Sequence, residues 1–308
     1  MKTYATKEIK NVVLLGASGS GKTTLAEAMA FDGKVIDRRG SIESENTLSD
    51  YTEVEHLYKR SIYTTILFAE YNGRKLNIFD TPGSDDFCGG LFSAFKVADV
   101  GVMLLNAQNG FEVGTEIQAR YARKHEKPII AVINQLDSEK ASWENTLESL
   151  RAASQVKPVI VQYPVNPGPN FDAFIDVLLM KMYKFKGDTG IREELEIPES
   201  EMERARELNQ ILTEAAAEND ESLMELYFDK GVLTQDEMRK GLKFGLAKRD
   251  LIPVFCASGK RDIGAKRLME FIINVAPGPI EAPAFKTVEG EEVKADSSAP
   301  TSLFVFRS

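Results

Sequence analysis

The feature that most constrains this chain is the segment GASGSGKT, Gly16–Thr23, which matches the pattern G-x-x-x-x-G-K-[ST]. The apolar run Val12–Leu15 before it is typical of a buried strand, and Thr23–Ala30 after it indicates a helix. Glycines in such a loop let backbone N–H groups approach phosphate oxygens, and the helix N-terminus adds partial positive charge. Strand, loop and helix in this order predict a phosphate-binding loop rather than a chance glycine-rich turn.

Specific roles follow from the residue types in this loop. Lys22 is expected to contact the β- and γ-phosphates and is a candidate catalytic residue, and the Thr23 hydroxyl is expected to bind Mg²⁺. The loop alone does not identify the base, so an ATP-using kinase remains an alternative. The predicted nucleotide-binding residues of the loop are Gly16, Ala17, Ser18, Gly19, Ser20, Gly21, Lys22, Thr23 and Thr24.

A second segment, FDTPGSDDF, follows the strand-like run LNIF. Asp80 is the natural carboxylate beside the Mg²⁺ ion, with a turn or helix cap as the alternative. Gly83 can offer a backbone N–H to a γ-phosphate, which would let this loop respond to whether that phosphate is present. The sequence therefore predicts that Asp80 and Gly83 bind the cofactor and that Thr23 and Asp80 are the metal site.

A base-recognition site is predicted after the buried strand PIIAVIN, where Asn134, Gln135 and Asp137 follow. A carboxylate can accept hydrogen bonds from N1–H and N2–H₂ of guanine, an arrangement adenine does not offer. Cys256, Ala257 and Ser258 follow a later strand, and we expect the Ala257 N–H to contact the guanine carbonyl oxygen. The expected cofactors are therefore GTP or GDP with Mg²⁺.

The pattern of elements predicts an α/β fold, a P-loop NTPase with a doubly wound, mostly parallel sheet. Tyr63–Tyr71 and Arg74–Phe79 flank Asn72-Gly73, a strong hairpin signal. The polar stretch Asp37–Tyr58 is expected to be a long mobile loop. Further predicted elements are helices Phe87–Ala98, Glu116–His125, Ser142–Ala153 and Ile263–Val275, and strands Val100–Asn106, Pro128–Asn134 and Leu251–Cys256.

The strand–helix alternation breaks after about residue 158 and returns at 251, which predicts an inserted α-rich α+β subdomain. The expected domains are a GTP-binding domain at residues 1–158 and 251–280, the insertion at 159–250, and a linker at 281–308. Capping boxes at Ser200–Glu203 and Thr234–Glu237 predict helix starts. The first of these helices has an apolar stripe and an acidic face, which is either a solvated surface or a docking face. The stripe comprises Met202, Ala205, Leu208, Leu212 and Ala215.

Composition restricts the function classes. The net charge of −9 argues against a general grip on nucleic acid or membranes through bulk electrostatics. Two cysteines and two histidines among 308 residues exclude a disulfide framework and argue against a zinc site. Because the chain contains no apolar run of membrane-spanning length and no secretion signal, we expect a cytoplasmic protein without a membrane partner.

The order of these motifs resembles the translational GTPases, and most closely the N-terminal part of elongation factor G. DTPGSDDF, VGVMLLNAQNGFEVGTE and PVFCASGKRDIG resemble segments of its G domain, and NFDAFIDVLLMKMYKF resembles its inserted subdomain. The closing SAPTSLFVFRS resembles the first strand of the β-barrel domain that follows, with a disordered tail as the alternative. Ribosome-protection GTPases are close relatives, and the insertion favours the elongation factor.

The resemblance implies a GTPase that acts on the ribosome during translocation, and an acidic insertion that faces the ribosomal stalk protein. It also implies that contact with tRNA and mRNA would need later domains that this chain lacks. The alternatives are a ribosome-docking GTP/GDP sensor with vestigial catalysis and a ribosome-protection GTPase.

Four positions depart from the family pattern. Ser84 stands where a histidine normally orients the attacking water, and Gly19 stands where an aspartate is usual. Tyr63 replaces a metal-binding threonine, with Thr64 or Thr65 as possible substitutes if the loop register shifts. Gln135 replaces a lysine in the base motif. These changes predict either compensation elsewhere, nucleotide binding with poor hydrolysis, or weak nucleotide binding; Ser84 is the altered catalytic position.

Overall fold

The structure is a computed structural model that describes residues 2–306, so the outermost limits of the predicted domains, at residues 1, 307 and 308, lie outside the described residues. The strands are β1 (Ile9–Leu15), β2 (Thr65–Tyr71), β3 (Arg74–Asp80), β4 (Val100–Asn106), β5 (Ile129–Asn134), β6 (Lys157–Ile160), β7 (Gln162–Pro164), β8 (Ala173–Asp176), β9 (Lys181–Phe185), β10 (Arg192–Leu195), β11 (Leu251–Cys256), β12 (Phe285–Lys286) and β13 (Glu292–Val293). The α-helices are α1 (Lys22–Asp32), α2 (Glu53–Tyr58), α3 (Gly89–Val97), α4 (Val113–Lys124), α5 (Trp143–Ala153), α6 (Glu199–Ala217), α7 (Glu221–Lys230), α8 (Gln235–Lys248) and α9 (Ala265–Val275).

A large sheet forms the centre of the molecule, with the strand order β2-β3-β1-β4-β5-β11-β6. All neighbours pair in parallel except β2 and β3, whose hairpin turns at Asn72 and Gly73, both with positive φ. The last four residues of β1, Val12–Leu15, are fully buried, as is typical of a strand covered on both faces. The predicted α/β class and the hairpin are confirmed.

The strand order changes direction at β1. From β1 the chain passes through α1 and the hairpin to β3 on one side, and then through α3 to β4 on the other. In an open parallel sheet, ligands bind at the carboxyl ends of the strands beside such a switch point. The loops that carry the predicted nucleotide-binding residues follow β1, β3, β5 and β11, so they meet at this edge.

The insertion is confirmed as an additional unit and contains a four-stranded antiparallel sheet, β10-β9-β8-β7. Its core includes Phe174, whose ring lies 5.6 Å from that of Tyr183 and 5.5 Å from that of Phe185. The sequence did not predict these strands individually, because each has only three to five residues. Strand β6 pairs with β11, so Val159 and Ile160, which the sequence assigned to the insertion, belong to the large sheet.

Two predictions about local structure are wrong. The stretch 37–58 is not entirely loop, because α2 forms within it; the Thr52 hydroxyl accepts from the Glu55 N–H, a capping box that the sequence-based prediction did not include. Helix α6 does not start with a box at Ser200, since its N-cap is Pro198 and makes no side-chain cap. The box at Thr234 is confirmed, with the Glu237 N–H donating to its hydroxyl.

The C-terminal segment, predicted to be the first strand of a following domain without a partner strand in this chain, is unpaired over its described residues. Leu303–Phe306 has no strand pairing, which is consistent with the lack of a partner strand for an isolated segment. The Phe306 ring instead packs edge-on against Phe79, with ring centroids 5.8 Å apart. Within residues 2–306, no helix combines the length and the apolar composition that a membrane span requires.

Candidate functional site

A cavity of about 770 Å³ opens at the carboxyl edge of the large sheet, a size suited to a small ligand. The phosphate-binding loop, the segment between α1 and β2, and the loops after β3, β5 and β11 all contribute to its wall. The lining residues are Ser18, Gly19, Gly21, Lys22, Thr23, Thr24, Glu27, Arg39, Gly40, Ser41, Ile42, Glu43, Thr47, Asp50, Lys59, Arg60, Ser61, Gly83, Asn134, Gln135, Asp137, Ser138, Gly259 and Lys260.

The ammonium of Lys22 lies inside this loop. Its Nζ donates to the carbonyls of Gly16 at 2.8 Å and Ala17 at 3.0 Å. Burial lowers the pKa of Lys22 to about 8, and the neighbouring Asp80, Asp50 and Glu112 oppose that fall. A buried cation held only by carbonyl groups is positioned to gain from an incoming anion.

Helix α4 holds the other side of the loop. The Gln118 Oε1 accepts from the Gly16 N–H at 2.7 Å, and the Thr115 hydroxyl accepts from the Ala17 N–H at 3.2 Å. Gln118 also donates to the Pro82 carbonyl at 3.3 Å, so one side chain connects this loop with the segment that ends at Gly83. Sequence reasoning missed Thr115 and Gln118, because only the fold brings α4 to the loop.

The predicted metal residues lie together. The Thr23 hydroxyl donates to Asp80 Oδ2 at 2.7 Å and lies 3.1 Å from the Ser61 hydroxyl. Ser49 donates to the same Asp80 oxygen at 2.6 Å. Asp80 is fully buried, its Oδ1 has no hydrogen bond, and burial raises the pKa of its carboxyl. An unsatisfied buried carboxylate oxygen among hydroxyls suits a hard divalent cation.

A further carboxylate, that of Asp50, completes this oxygen cluster. Asp50 is 4% exposed, lines the cavity, and neither oxygen makes a hydrogen bond of ordinary length. Burial raises its pKa to about 6, and the nearby Ser61 hydroxyl opposes the rise. The donors Thr23, Ser49, Asp50, Ser61 and Asp80 therefore fit Mg²⁺ chemically. Motif spacing alone predicts only Thr23 and Asp80.

The predicted third hydroxyl of the metal site does not come from Tyr63, Thr64 or Thr65. Tyr63 is exposed and its N–H donates to Glu55, while the Thr65 hydroxyl donates to the Ser49 carbonyl. Thr64 is buried and does not line the cavity. The hydroxyl beside Thr23 belongs to Ser61, two residues before Tyr63, because the α2–β2 connection turns Ser61 inward.

The segment between α1 and β2 is fixed over the cavity by a few long side chains. Glu27 of α1 accepts from the N–H groups of Gly40 and Leu48, at 2.7 and 3.0 Å. Arg39 donates to the carbonyls of Gly259, Lys260 and Asp188, the last at 2.6 Å. These contacts hold Arg39 and Gly40 in the cavity wall.

Gly83 and Ser84 occupy different environments. A Cβ on Gly83 would lie 2.6 Å from both Lys22 Nζ and the Ser18 N, so only glycine permits this approach. Ser84, the next residue, caps a short 3₁₀ turn without a side-chain bond and is absent from the cavity lining. Gly83, the predicted γ-phosphate sensor, thus contacts the phosphate-binding loop. Ser84, the altered catalytic position, does not line the cavity.

Asn134 connects the loops that carry the predicted base-recognition residues. Its Nδ2 donates to the Ser20 carbonyl at 2.9 Å, and its Oδ1 accepts from the Gly259 N–H at 3.0 Å. Gln135 donates to the Gly19 carbonyl at 2.7 Å, and both residues line the cavity. Asp137 lines the cavity as predicted.

The predicted contribution of the loop after β11 needs correction. The Ala257 N–H donates to the Ile133 carbonyl, and the Ser258 N–H donates to that of Ile263, so neither is free for a ligand. Cys256, Ala257 and Ser258 are buried and do not line the cavity. Pairing with β5 continues past Cys256, and the residues that reach the cavity are Gly259 and Lys260.

Some residues of the phosphate-binding loop line the cavity, and others support the loop from behind. Ser18, Gly19, Gly21, Lys22, Thr23 and Thr24 line the cavity, whereas Gly16, Ala17 and Ser20 lie behind them and take part through their backbone bonds. Gly19 and Gly21 adopt the positive φ that favours glycine, which explains their place in this turn.

Comparisons with known proteins agree with this geometry. The family model described as elongation factor Tu GTP binding domain matches residues 7–278. An elongation factor G-like protein of Thermotoga maritima is 30% identical over 306 residues, covering 98% of this chain and 43% of that protein. A crystal structure from Thermus thermophilus has a TM-score of 0.84 and 32% identity, covering 90% of this chain and 42% of that one. The chain thus spans less than half the length of these relatives.

Proposed function

The chain belongs to the family of elongation factor Tu GTP binding domains, and from that premise we propose that it binds GTP and GDP as the G domain of an elongation-factor-G-like factor acting in ribosomal translocation. The observation that carries the proposal is the convergence of Lys22, Thr23 and Asp137 on one cavity. Lys22 suits the phosphates, Thr23 suits the metal ion, and Asp137 suits guanine.

The residues at the phosphate end of the cavity would bind the phosphates and neutralise their charge. Lys22 exchanges its two carbonyl partners for phosphate oxygens, a stronger charge-assisted contact. Thr23, Asp80, Asp50, Ser61 and Ser49 would hold Mg²⁺, which when bound supplies positive charge against the phosphates. Asp50 and Ser61 come from the segment between α1 and β2, so they can supply the oxygen ligands that Tyr63 does not.

At the other end, Asp137 accepts from guanine N1–H and N2–H₂ while Asn134 keeps the surrounding loops together. Calorimetry with GDP, GTP, ADP and ATP tests this assignment. We expect guanine nucleotides to bind at least about a hundredfold more tightly, because adenine leaves the carboxylate unpaired. A preference for ATP that survives Asp137→Ala would support a kinase and overturn the proposal.

For catalysis, we propose that the chain is a GTPase whose hydrolysis is slow. Ser84 lacks an imidazole and does not line the cavity, so in this arrangement no side chain at that position orients water. Lys22 remains as the charge-stabilising catalytic residue. The same observation favours a second candidate, a ribosome-docking GTP/GDP sensor with vestigial catalysis. A ribosome-protection GTPase is a third possibility with the same site.

Single-turnover GTP hydrolysis by the full-length protein on ribosomes tests the slow-hydrolysis proposal. We expect a rate orders of magnitude below that of an ordinary elongation factor G, and an increase with Ser84→His. Ser84→Ala is the matched control and should leave the low rate unchanged. A hydrolysis rate in the unsubstituted protein equal to that of an ordinary elongation factor G would refute the proposal. If Ser84→His leaves the rate unchanged, Gly19 or Tyr63 limits hydrolysis instead.

We further propose that the insertion docks the ribosomal stalk protein. An open groove of about 730 Å³ beside α6 includes Glu199, Glu203 and Glu207 in its lining. Charge reversal at Glu203 and Glu207 should weaken stalk binding, and Glu225→Lys on α7 is a control outside the groove. Unchanged affinity in the first variant would discard the acidic docking face in favour of a solvated surface.

The remaining assignments are proposals of the same kind. Residues 1–158 and 251–280 form the GTP-binding domain, and 159–250, less the two residues in β6, form the insertion. Residues 281–308 link to a further domain, through which tRNA and mRNA would be contacted. A cytoplasmic location without a membrane partner fits this role.

A further inference from the structure

A second cavity lies away from the nucleotide site, between α4 and α5 and beside the amino ends of β5 and β11. Its volume is about 280 Å³, and it shares no lining residue with the nucleotide cavity. Met103, Ile129, Leu150 and Leu251 form its apolar floor. Three of these come from the large sheet and one from α5, so the floor is part of the packed core rather than a surface crease.

The charged residues that line this cavity are all basic. Arg123, Lys127, Lys248 and Arg249 surround it, and no aspartate or glutamate is among its lining residues. This local excess contrasts with the net charge of −9 for the chain. An apolar floor with a wholly cationic rim is complementary to a molecule that combines an apolar body with negative charge.

The four cations differ in their availability. Lys127 donates to the Ala98 carbonyl, Lys248 donates to the Asn219 carbonyl, and Arg249 pairs with Glu126 at 3.2 Å. The side chain of Arg123, exposed on α4, makes no hydrogen bond or ion pair with any other described residue, although its carbonyl accepts from the Glu126 N–H. Its guanidinium is therefore the cation that can turn to a carboxylate and bind it in bidentate fashion.

We propose that this cavity binds a small amphipathic carboxylate, with an aromatic or branched aliphatic body on the apolar floor and the carboxylate on Arg123. Ala119, one turn before Arg123 on α4, and Ala153, at the end of α5, leave room for the body between the two helices. The site is separate from the nucleotide cavity and does not depend on what that cavity binds.

The first test uses 2-naphthoate as the probe and its neutral counterpart 2-naphthamide, with the protein saturated with GDP. Ligand-observed NMR and calorimetry should show saturable one-to-one binding of 2-naphthoate, about tenfold tighter than 2-naphthamide. Arg123→Gln should remove that difference. Arg120→Gln, on the same helix but outside the cavity, is the matched control and should preserve it.

The second test fills the space that the apolar body of the ligand would occupy. Ala153→Trp should abolish binding of 2-naphthoate, while Ala152→Trp, its exposed neighbour outside the lining, should not. The proposal is overturned if binding does not saturate, or if neither Arg123→Gln nor Ala153→Trp weakens it. It is also overturned if an acidic leucine-containing peptide binds in the cavity and 2-naphthoate does not, because that would identify a peptide groove.

Discussion

At the scale of single residues, the buried aspartates outside the nucleotide cavity are informative. The Asp32 side chain is 1% exposed, and its Oδ1 lies 3.1 Å from Lys266 Nζ. Burial, followed by the charge of Asp262, raises the pKa of Asp32 to about 7, and Lys266 and Arg39 oppose the rise. Asp262 follows the guanine-site loop, and burial raises the pKa of its carboxyl as well. Two adjacent buried carboxyls favour holding a proton between them.

This pair predicts how stability depends on pH. Because the folded pKa of Asp32 lies above its unfolded value, the stabilisation is complete below about pH 4 and is lost as the pH rises through about 7. The free energy of unfolding should fall by roughly 2–4 kcal/mol across that window as the Asp32–Asp262 pair loses its proton. Denaturant unfolding at several pH values should show a flatter dependence for Asp32→Asn, whereas exposed Asp37→Asn keeps the original slope. Equal slopes for both variants would contradict the assignment.

Motif spacing could identify Lys22, Thr23, Asp80, Asn134 and Asp137, and the structure brings all but Asp80 into the cavity wall, with Asp80 bonded behind Thr23. It could not identify Ser61, Asp50 or Gln118, since these residues reach the site only through the path of a connecting segment or the packing of a helix. Motif spacing assigned Cys256, Ala257 and Ser258 to the cavity instead of Gly259 and Lys260, because sequence does not show where strand pairing ends.

At the scale of elements, helix starts show the limits of a local pattern. Thr234 and Ser200 both begin a capping-box pattern, but Ser200 falls inside α6, which begins at Glu199 after the N-cap Pro198. The capping box at Thr52 lies in a polar stretch whose sequence has little apolar periodicity, so sequence does not predict a helix there. The elements with strong apolar patterns, β1, β4 and β5, could be predicted from sequence with only small shifts in their bounds.

The two candidate caps differ in their expected energetics. Thr234→Ala should lower the free energy of unfolding by about 1 kcal/mol, since the Glu237 N–H loses its acceptor. Ser200→Ala should change it by less than about 0.5 kcal/mol, because alanine suits the first turn of α6 and no cap is removed. Thermal or urea unfolding of the two variants measures the difference. A larger loss at Ser200 would mean that α6 starts later than the structure shows.

At the scale of the whole molecule, a buried ion-pair network joins the antiparallel sheet of the insertion to helix α9. Arg267 of α9 donates to Asp176 of β8 at 2.9 Å, and both side chains are almost completely buried. Glu270 contacts Arg267 and also pairs with Arg192 of β10 at 2.8 Å. The existence of an inserted unit could be predicted from sequence, but not this junction, because its partners are widely separated along the chain.

Breaking the junction should have a large effect. Asp176→Ala leaves Arg267 buried beside a single carboxylate, and we expect a loss of about 3–5 kcal/mol in the free energy of unfolding. Lys184→Ala removes an exposed ion pair with Asp172 in the same sheet and should cost less than about 1 kcal/mol. Calorimetric unfolding compares the two variants and shows whether the insertion then melts separately. Similar small losses would refute a structural role for the junction.

The position of the insertion also bears on which strand pairings each end of the cavity requires. Strand β11 pairs with β6 across residues 161–250 and with β5 across residues 135–250. The segments closed when β1 pairs with β3 and β4, residues 16–73 and 16–99, are of comparable length, and closure entropy grows only with the logarithm of loop length, so entropy does not rank these pairings. The two ends of the cavity nevertheless depend on different pairings. The loops after β1 and β3 follow strands that pair within the first 106 residues, whereas Gly259 and Lys260 reach the cavity only when β11 has paired.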